Sequence, residues 1–578
     1  MKTFFRVLFV VFSAGWLATL KAQPVNAPIF PLDEVKPGLK GEVWTVFQGT
    51  QVEPFTVEVA GVVRNALGPG KSMILCQLTD SRVQKMGAVA GMSGSPLYID
   101  GKLVGALSYQ IQRFETVRYA GFTPAADLVE VEAKVTSQPG FVSTHPPADN
   151  APYKAMQPAF TLTGLSPAVA ELFAPQFAAL GVNSTALGGS LGSGSPSSFS
   201  SAPLQAGSAV AVALAIGDVT LAGTGTVSRI DGNHVTAFGH PLMSLGDVEL
   251  PMCAAEIITI LPSNLTSVKV ANTGPIIGTI VQDRLSAISG MLGPGPAMIP
   301  VEVVVSPNSE HPRTLRFSVV RQSQLTPALV ASGVAQAILG SNDAGLTGGF
   351  RLSSDVAFPA GQALATRTLY SGPQAFAQGV GEFTQRLTAN LQNPYEKTFP
   401  DHVRFTIEPL EQNPTAVLDS FQLSRTSAHI GEKVDATLSW RDWQGEAHRN
   451  HVSFTVDASW VGKNLDVVLT SGRMLDDLSG RSRSIPVAQL RSFDAYLSAI
   501  RDDRRTDGLY LAVVEKSPIF TDQNSPTLEM PGSFERIART ADEARYQKSD
   551  ALVPLWETHL LPGKLLPARI SRSFQAVE

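Results

Sequence analysis

Cysteine is almost missing from this chain: Cys76 and Cys253 are the only two in 578 residues. That excludes a disulfide-stapled scaffold and any site built on closely spaced cysteine ligands. The pair could form one bridge or remain two buried thiols, and sequence alone does not choose. Charge is sparse as well, at 16% of residues, and no basic cluster stands out, so nucleic acid is not an expected partner. Histidine is absent before His145, so an imidazole base for any earlier nucleophile has to come from further along the chain. Past the N-terminus every apolar stretch is broken by Gly, Pro or a charge before it reaches the roughly 20 residues that span a bilayer.

What is present is enough apolar material, 44% of residues, to fill several cores. The length predicts about three or four units. At the N-terminus Lys2 and Arg6 precede an apolar run from Val7 to Leu20, followed by Lys21 and Ala22. This reads as a secretory signal peptide over residues 1–22, with a periplasmic or secreted mature protein that keeps no stable membrane span. Removing Lys2, Arg6 and Lys21 takes three positive charges away and moves the formal charge from −5 to −8.

From 31 to 132 the chain reads as short strands separated by turns, and Asp100-Gly101 between two alternating runs marks a hairpin. Residues 133–206 form a linker or insertion, with a helix expected around PAVAELFAPQFAAL and a Gly/Ser/Pro tract after it. A second β unit spans 207–322. Helical patterns follow in 323–412, a helical or mixed region, at TPALVASGVAQAIL and PQAFAQGVGEFTQRLTANLQ, and 413–578 reads as a β-sandwich-like domain with a helical insertion near PVAQLRSFDAYLSAIRDD.

The sharpest local feature is GMSGSP at 91–96. Glycines on both sides of Ser93 permit a tight bend that can aim the N–H groups of Gly91 and Ser93 at one point, which is how an oxyanion hole is made. The same letters also spell an ordinary Gly/Ser turn. The wider string TDSRVQKMGAVAGMSGSPLYIDGKLVGALSY, Thr79 to Tyr109, resembles the nucleophile region of the stage IV sporulation protein B serine peptidases, a trypsin-like family. GTGTVSRIDGNHVTAFGHPL resembles that family's histidine segment, and IIGTIVQDRLSAISGMLG at 276–293 is similar to another part of it. The resemblance implies a two-unit trypsin-like β-barrel core, a protein or peptide substrate and no metal or cofactor. Ser93 takes the nucleophile's place, Ser95 is a structural neighbour, His240 is the base and His234 a solvated turn residue. Asp80 matches the family's acid, with Asp218 and Asp247 as rivals for the role of orienting the imidazole. In the family the histidine half comes first, so the two halves here read as permuted, and no peptide-binding PDZ segment is evident.

Other constellations are weaker. GTGTVSRIDG lacks the lysine and helix of a phosphate loop, and His448 with His451 beside Glu446 reads as a solvated pair rather than a metal site. Two functions follow. One is an exported serine endopeptidase acting by limited proteolysis or self-processing. The other is a non-catalytic exported binding or scaffold protein that keeps the peptidase fold.

Overall fold

The computed structural model describes residues 23–111, 117–133, 153–182, 185–186, 188–190, 203–263, 267–306, 312–339, 348–371, 375–393, 397–479, 492–494, 497, 504–522, 525–528 and 546–578. The expected signal peptide, most of the Gly/Ser/Pro tract and most of the helix expected near 486–503 lie outside these residues. The chain is mostly β.

The first unit contains strands β1 (Lys40–Val46), β2 (Val52–Val63) and β3 (Met73–Leu78), the short helix α1 (Ser81–Met86), then β4 (Pro96–Ile99), β5 (Lys102–Ile111) and β6 (Tyr119–Pro124). Antiparallel pairing runs β1–β2–β3–β6–β5–β4 and back to β1, closing a six-stranded barrel. Alternation along β2 points Phe55, Val57 and Val59 inward, where they meet Ile74, Leu97, Val104, Leu107 and Phe122. Each such side chain contributes about 1.5–3 kcal/mol when fully buried. Asp100 and Gly101 both take positive φ, 49° and 76°, and make the tight β4–β5 hairpin that their sequence signals.

Helix α2 (Ala125–Ala133), β7 (Tyr153–Ala155), β8 (Ala159–Thr163), helix α3 (Pro167–Ala179) and the short β9 (Thr185–Ala186) and β10 (Gly188–Ser190) lead to the second unit. It comprises β11 (Ala209–Gly217), β12 (Thr220–Asp231), β13 (His234–Ala237), β14 (Gly246–Leu261), β15 (Val268–Arg284) and β16 (Ala287–Leu292). Pairing runs β11–β12–β13–β16–β15–β14 and returns to β11, a second closed antiparallel cycle. The two barrels meet directly: Ala90 bridges Val268, and Gly49 bridges Ile257.

Beyond 292 the sheet continues through β17 (Met298–Val305) and β18 (Arg313–Val320), then, after helix α4 (Thr326–Leu339), through β19 (Phe350–Ala357) and β20 (Ala363–Tyr370) and, after α5 (Ala375–Leu391), β21 (His402–Pro409). Helix α4 is apolar on every face and is buried almost throughout, the expected fate of such a helix. The 323–412 region holds three strands beside its two helices, none of them located individually by its sequence pattern. The tail packs β22 (Ala416–Leu423), β24 (Lys433–Asp442) and β25 (Ala447–Thr455) against a sheet holding β23 (Ser427–His429), β26 (Leu465–Thr470), β27 (Leu509–Asp522), β28 (Ser525–Leu528), β29 (Tyr546–Leu560) and β30 (Arg569–Val577), with the small helix α6 (Gly472–Leu478) following β26. Leu438, Trp440 and Phe454 from one sheet and Val467, Leu511 and Phe574 from the other share one core, as in a sandwich. No helix among the described residues is long and apolar enough to cross a membrane. Cys76 and Cys253 are free and buried, one in each barrel; burial pushes both thiols up, Cys253 to about 12.

Candidate active site

The turn between α1 and β4 carries the Ser93 motif. Gly91 and Gly94 sit at φ 93° and 96°, a conformation that L side chains rarely adopt. The turn is pinned by bonds from Met92 N to Val89 O, from Ser95 N to Met92 O and from Gly94 N to Leu107 O. Ser95 Oγ donates to Met92 O at 2.6 Å, which makes it a structural part of the bend, and Met92 is fully buried in the first barrel's core. Two amides are left over: among the described residues nothing accepts from Gly91 N or Ser93 N. The Ser93 hydroxyl, fully buried, also has no partner.

His240 comes from the second barrel. Strand β13 ends at Ala237, and Phe238 (φ 71°) and Gly239 (φ 68°) then reverse the chain so that His240 follows a tight left-handed bend. Its Nδ1 lies 2.7 Å from the Pro241 carbonyl oxygen. Because a carbonyl only accepts, Nδ1 carries the proton and Nε2 presents a lone pair. That Nε2 is buried and unpartnered. Burial drives the ring's pKa down to about 4, against a smaller upward pull from the Pro241 carbonyl, so the ring is neutral at pH 7.

Strand β12 ties the two segments together. Thr226 N donates to Ser93 O at 2.8 Å, Thr226 O accepts from Phe238 N at 3.1 Å, and Thr226 Oγ1 donates to Gly91 O at 3.0 Å. Ser228 Oγ donates to Gly94 O, and Thr123 Oγ1, from the first barrel, donates to Gly239 O at 2.6 Å. The serine turn of one barrel and the histidine turn of the other are thus bonded to the same residue, although no bond joins Ser93 Oγ to His240 Nε2.

The carboxylates expected from sequence are engaged elsewhere. Asp80 caps α1, accepting from Arg82 N at 2.8 Å and pairing with the Arg82 guanidinium at 3.1 Å. Partial burial pushes its carboxyl up, but the Arg82 bonds outweigh this and hold it below the ordinary value. Asp218 accepts from Arg316 N, and Asp247 pairs with Arg284. Not singled out from sequence was Asp283, fully buried, which accepts from Leu242 N, Met243 N and Leu245 N at 2.7 to 3.0 Å and so fastens the loop that follows His240. Burial raises its pKa, and the amides pull the other way. The signal for it was there: a carboxylate interrupting the apolar run IIGTIVQDRL.

His234 is exposed at the start of β13. His448 and His451 part company across β25: His448 stacks on Trp440 with centroids 4.3 Å apart, and His451 Nδ1 meets Thr437 Oγ1. Asp442, Glu446 and His448 gather at the same hairpin, where Asp442 already accepts the amides of Gln444 and Glu446.

No curated protein and no solved structure is matched by the chain. Residues 17–122, which include strands β1 to β5, the start of β6 and the Ser93 turn, match the SpoIVB peptidase S55 family. That stretch, under a fifth of the chain, is similar to the SpoIVB peptidase family, and the serine turn with its two unpartnered amides lies within it.

Proposed function

We propose that this chain is an exported serine endopeptidase that performs limited proteolysis or self-processing, with Ser93 as nucleophile and His240 as base. One observation carries the reading. Ser93 Oγ and His240 Nε2 are complementary, a donor and a lone pair; both are buried and unpartnered, and they sit on turns bonded to the same Thr226. Buried polar atoms are rarely left so without a functional reason.

In this scheme Ser93 Oγ attacks the scissile carbonyl carbon as its proton passes to His240 Nε2. The oxyanion is received by the Gly91 and Ser93 amides, and Nε2 returns the proton to the leaving amine. Water then hydrolyses the acyl-enzyme by the same proton route. The Pro241 carbonyl holds Nδ1–H and performs the orienting duty that the sequence suggested for Asp80. A neutral imidazole from about pH 4 upward keeps the base form available across the physiological range.

The second reading, a binding protein that keeps the fold without turnover, is favoured by the closure of the site. Ser93 and His240 are 0% and 1% exposed, and no bond links them. Fluorophosphonate labelling of the mature protein separates the two. Peptidase function requires labelling of the wild type and of Ser95→Ala, none in Ser93→Ala, and a rate at least ~100-fold lower in His240→Ala. A wild type that stays unlabelled from pH 5 to 9 establishes the binding reading instead.

A further inference from the structure

Beside the Ser93 turn lies a lysine that the scheme above does not use. Lys269, on β15, is completely buried. Its backbone N–H donates to Ala90 O at 3.0 Å, and Ala90 N–H donates to Ser267 O, so the strand is laced to the turn just before Gly91. Its stem runs along Gly91: a Cβ placed on that glycine would lie 3.1 Å from Lys269 Cβ and 3.2 Å from Lys269 Cδ. Nζ lies about 2.5 Å beyond Cδ by standard bond lengths, so the amine is no more than ~7 Å from the Gly91 Cα. Nζ donates to Thr45 Oγ1 on β1, at 2.9 Å. Lysines are seldom buried without a carboxylate, because an uncompensated cation is expensive to desolvate.

We propose that Lys269 is a positioning residue for the oxyanion amides: its stem sets the Gly91 peptide, and its ammonium, fixed by Thr45 on the opposite barrel, supplies positive charge behind the place where the oxyanion forms. This rests on the peptidase reading. A charge held a few ångströms from a developing oxyanion in a water-poor interior acts far more strongly than one in solvent. The geometry also makes the charge conditional on the two barrels staying together, since stem and partner come from different barrels.

The state of the amine can be read by pH. Burial alone pushes its pKa down, to about 7, with no charged group contributing. The charged residues on the strands around it are Lys40 and Glu42 on β1, Glu53, which pairs with Arg82, and Glu58 on β2, Asp247, Glu249 and Glu256 on β14, and Asp283 and Arg284 at the far end of β15 itself; the loop 88–92 and β8 present none. His240, near 4, titrates well below this range. An inflection near 7 that is present in the wild type and lost in Lys269→Met therefore belongs to Lys269.

The test measures the second-order rate of fluorophosphonate labelling between pH 5 and 9 for wild type, Lys269→Met, Lys269→Arg and Thr45→Val. Lys269→Met keeps the stem and removes the charge. The wild-type rate is expected to fall through pH 7. Lys269→Met should lie at least tenfold lower at pH 6 and show no inflection, and Thr45→Val should retain the inflection at a shifted pH. Circular dichroism identifies any variant that has failed to fold, and Thr45→Val stands in if Lys269→Met does so. Labelling of Lys269→Met at the wild-type rate, or an inflection that survives it, overturns the role of Lys269 and leaves the peptidase intact. A wild type labelled no faster than Ser93→Ala overturns the peptidase and this role with it.

Discussion

At the scale of the residue, Gly94 shows how closely the serine turn is pressed against the second barrel. A Cβ there would lie 2.0 Å from Thr226 O and 2.5 Å from Phe238 N, both backbone atoms that cannot swing aside, and its φ is also in the left-handed region. Gly101, in the β4–β5 hairpin, has similar handedness but open space around it. Comparing the two separates conformational strain from collision. Gly101→Ala should cost about 1 kcal/mol, the usual cost of a left-handed non-glycine residue. Gly94→Ala should cost ~3 kcal/mol or more and abolish labelling, because the turn must withdraw from β12. Urea unfolding of both variants checks this: equal costs would mean that the turn does not sit against Thr226 and Phe238. Legibility differed sharply among the residues of this site. Ser93, Gly91 and His240 were singled out through the resemblance of the strings around them, because GMSGSP alone also spells an ordinary Gly/Ser turn and a lone histidine has no local signature. Lys269 could not be read, since only the meeting of two barrels makes an ordinary strand lysine into a buried one. Nor could the partner of the imidazole, because the carbonyl that holds Nδ1 belongs to the next residue and carries no side-chain letter at all.

At the scale of the element, the loop from Pro241 to Leu245 is held by Asp283 at the far end of β15. Asp283→Asn keeps the shape but offers one acceptor oxygen where the carboxylate offers two. At least one of the three amides then loses its bond in a buried site, which costs roughly 1–3 kcal/mol. The expected result is a lower urea midpoint and labelling at least tenfold slower, since the same loop begins at His240; an unchanged labelling rate would show that the imidazole is held without it. Elements with a strong local pattern were legible: β4 and β5 from their hairpin, and α3, α4 and α5 from apolar spacing. Strands β19, β20 and β21 were not, because they complete a sheet started by β17 and β18 and flank two helices whose patterns dominate that region. The pairing that joins them to that sheet is distant in sequence, with Val301 of β17 beside Val403 of β21.

At the scale of the molecule, two barrels bury ionisable groups whose protonated forms would be stable in water, and the sign of the consequence is fixed. His240 and Lys269 both have folded pKa values below their ordinary ones, about 4 against 6.5 and about 7 against 10.5. Between each pair of values the unfolded chain binds the extra proton, so stability falls as pH drops, through 6.5 to 4 for the histidine and through 10.5 to 7 for the lysine. At neutral pH the lysine's contribution is already unfavourable, on the order of 4 kcal/mol for a shift of this size. Such a cost survives selection where a buried charge does something packing cannot. Lys269→Met, which keeps the stem and removes the proton site, should therefore melt higher than wild type at pH 6, and the gain should shrink steadily and vanish near pH 10.5. Calorimetry of the two proteins across that range tests it directly. A constant difference at all pH values would mean that the amine is solvated rather than buried. A gain confined to low pH, together with slower labelling in the same variant, would show stability exchanged for charge at the seam between the barrels.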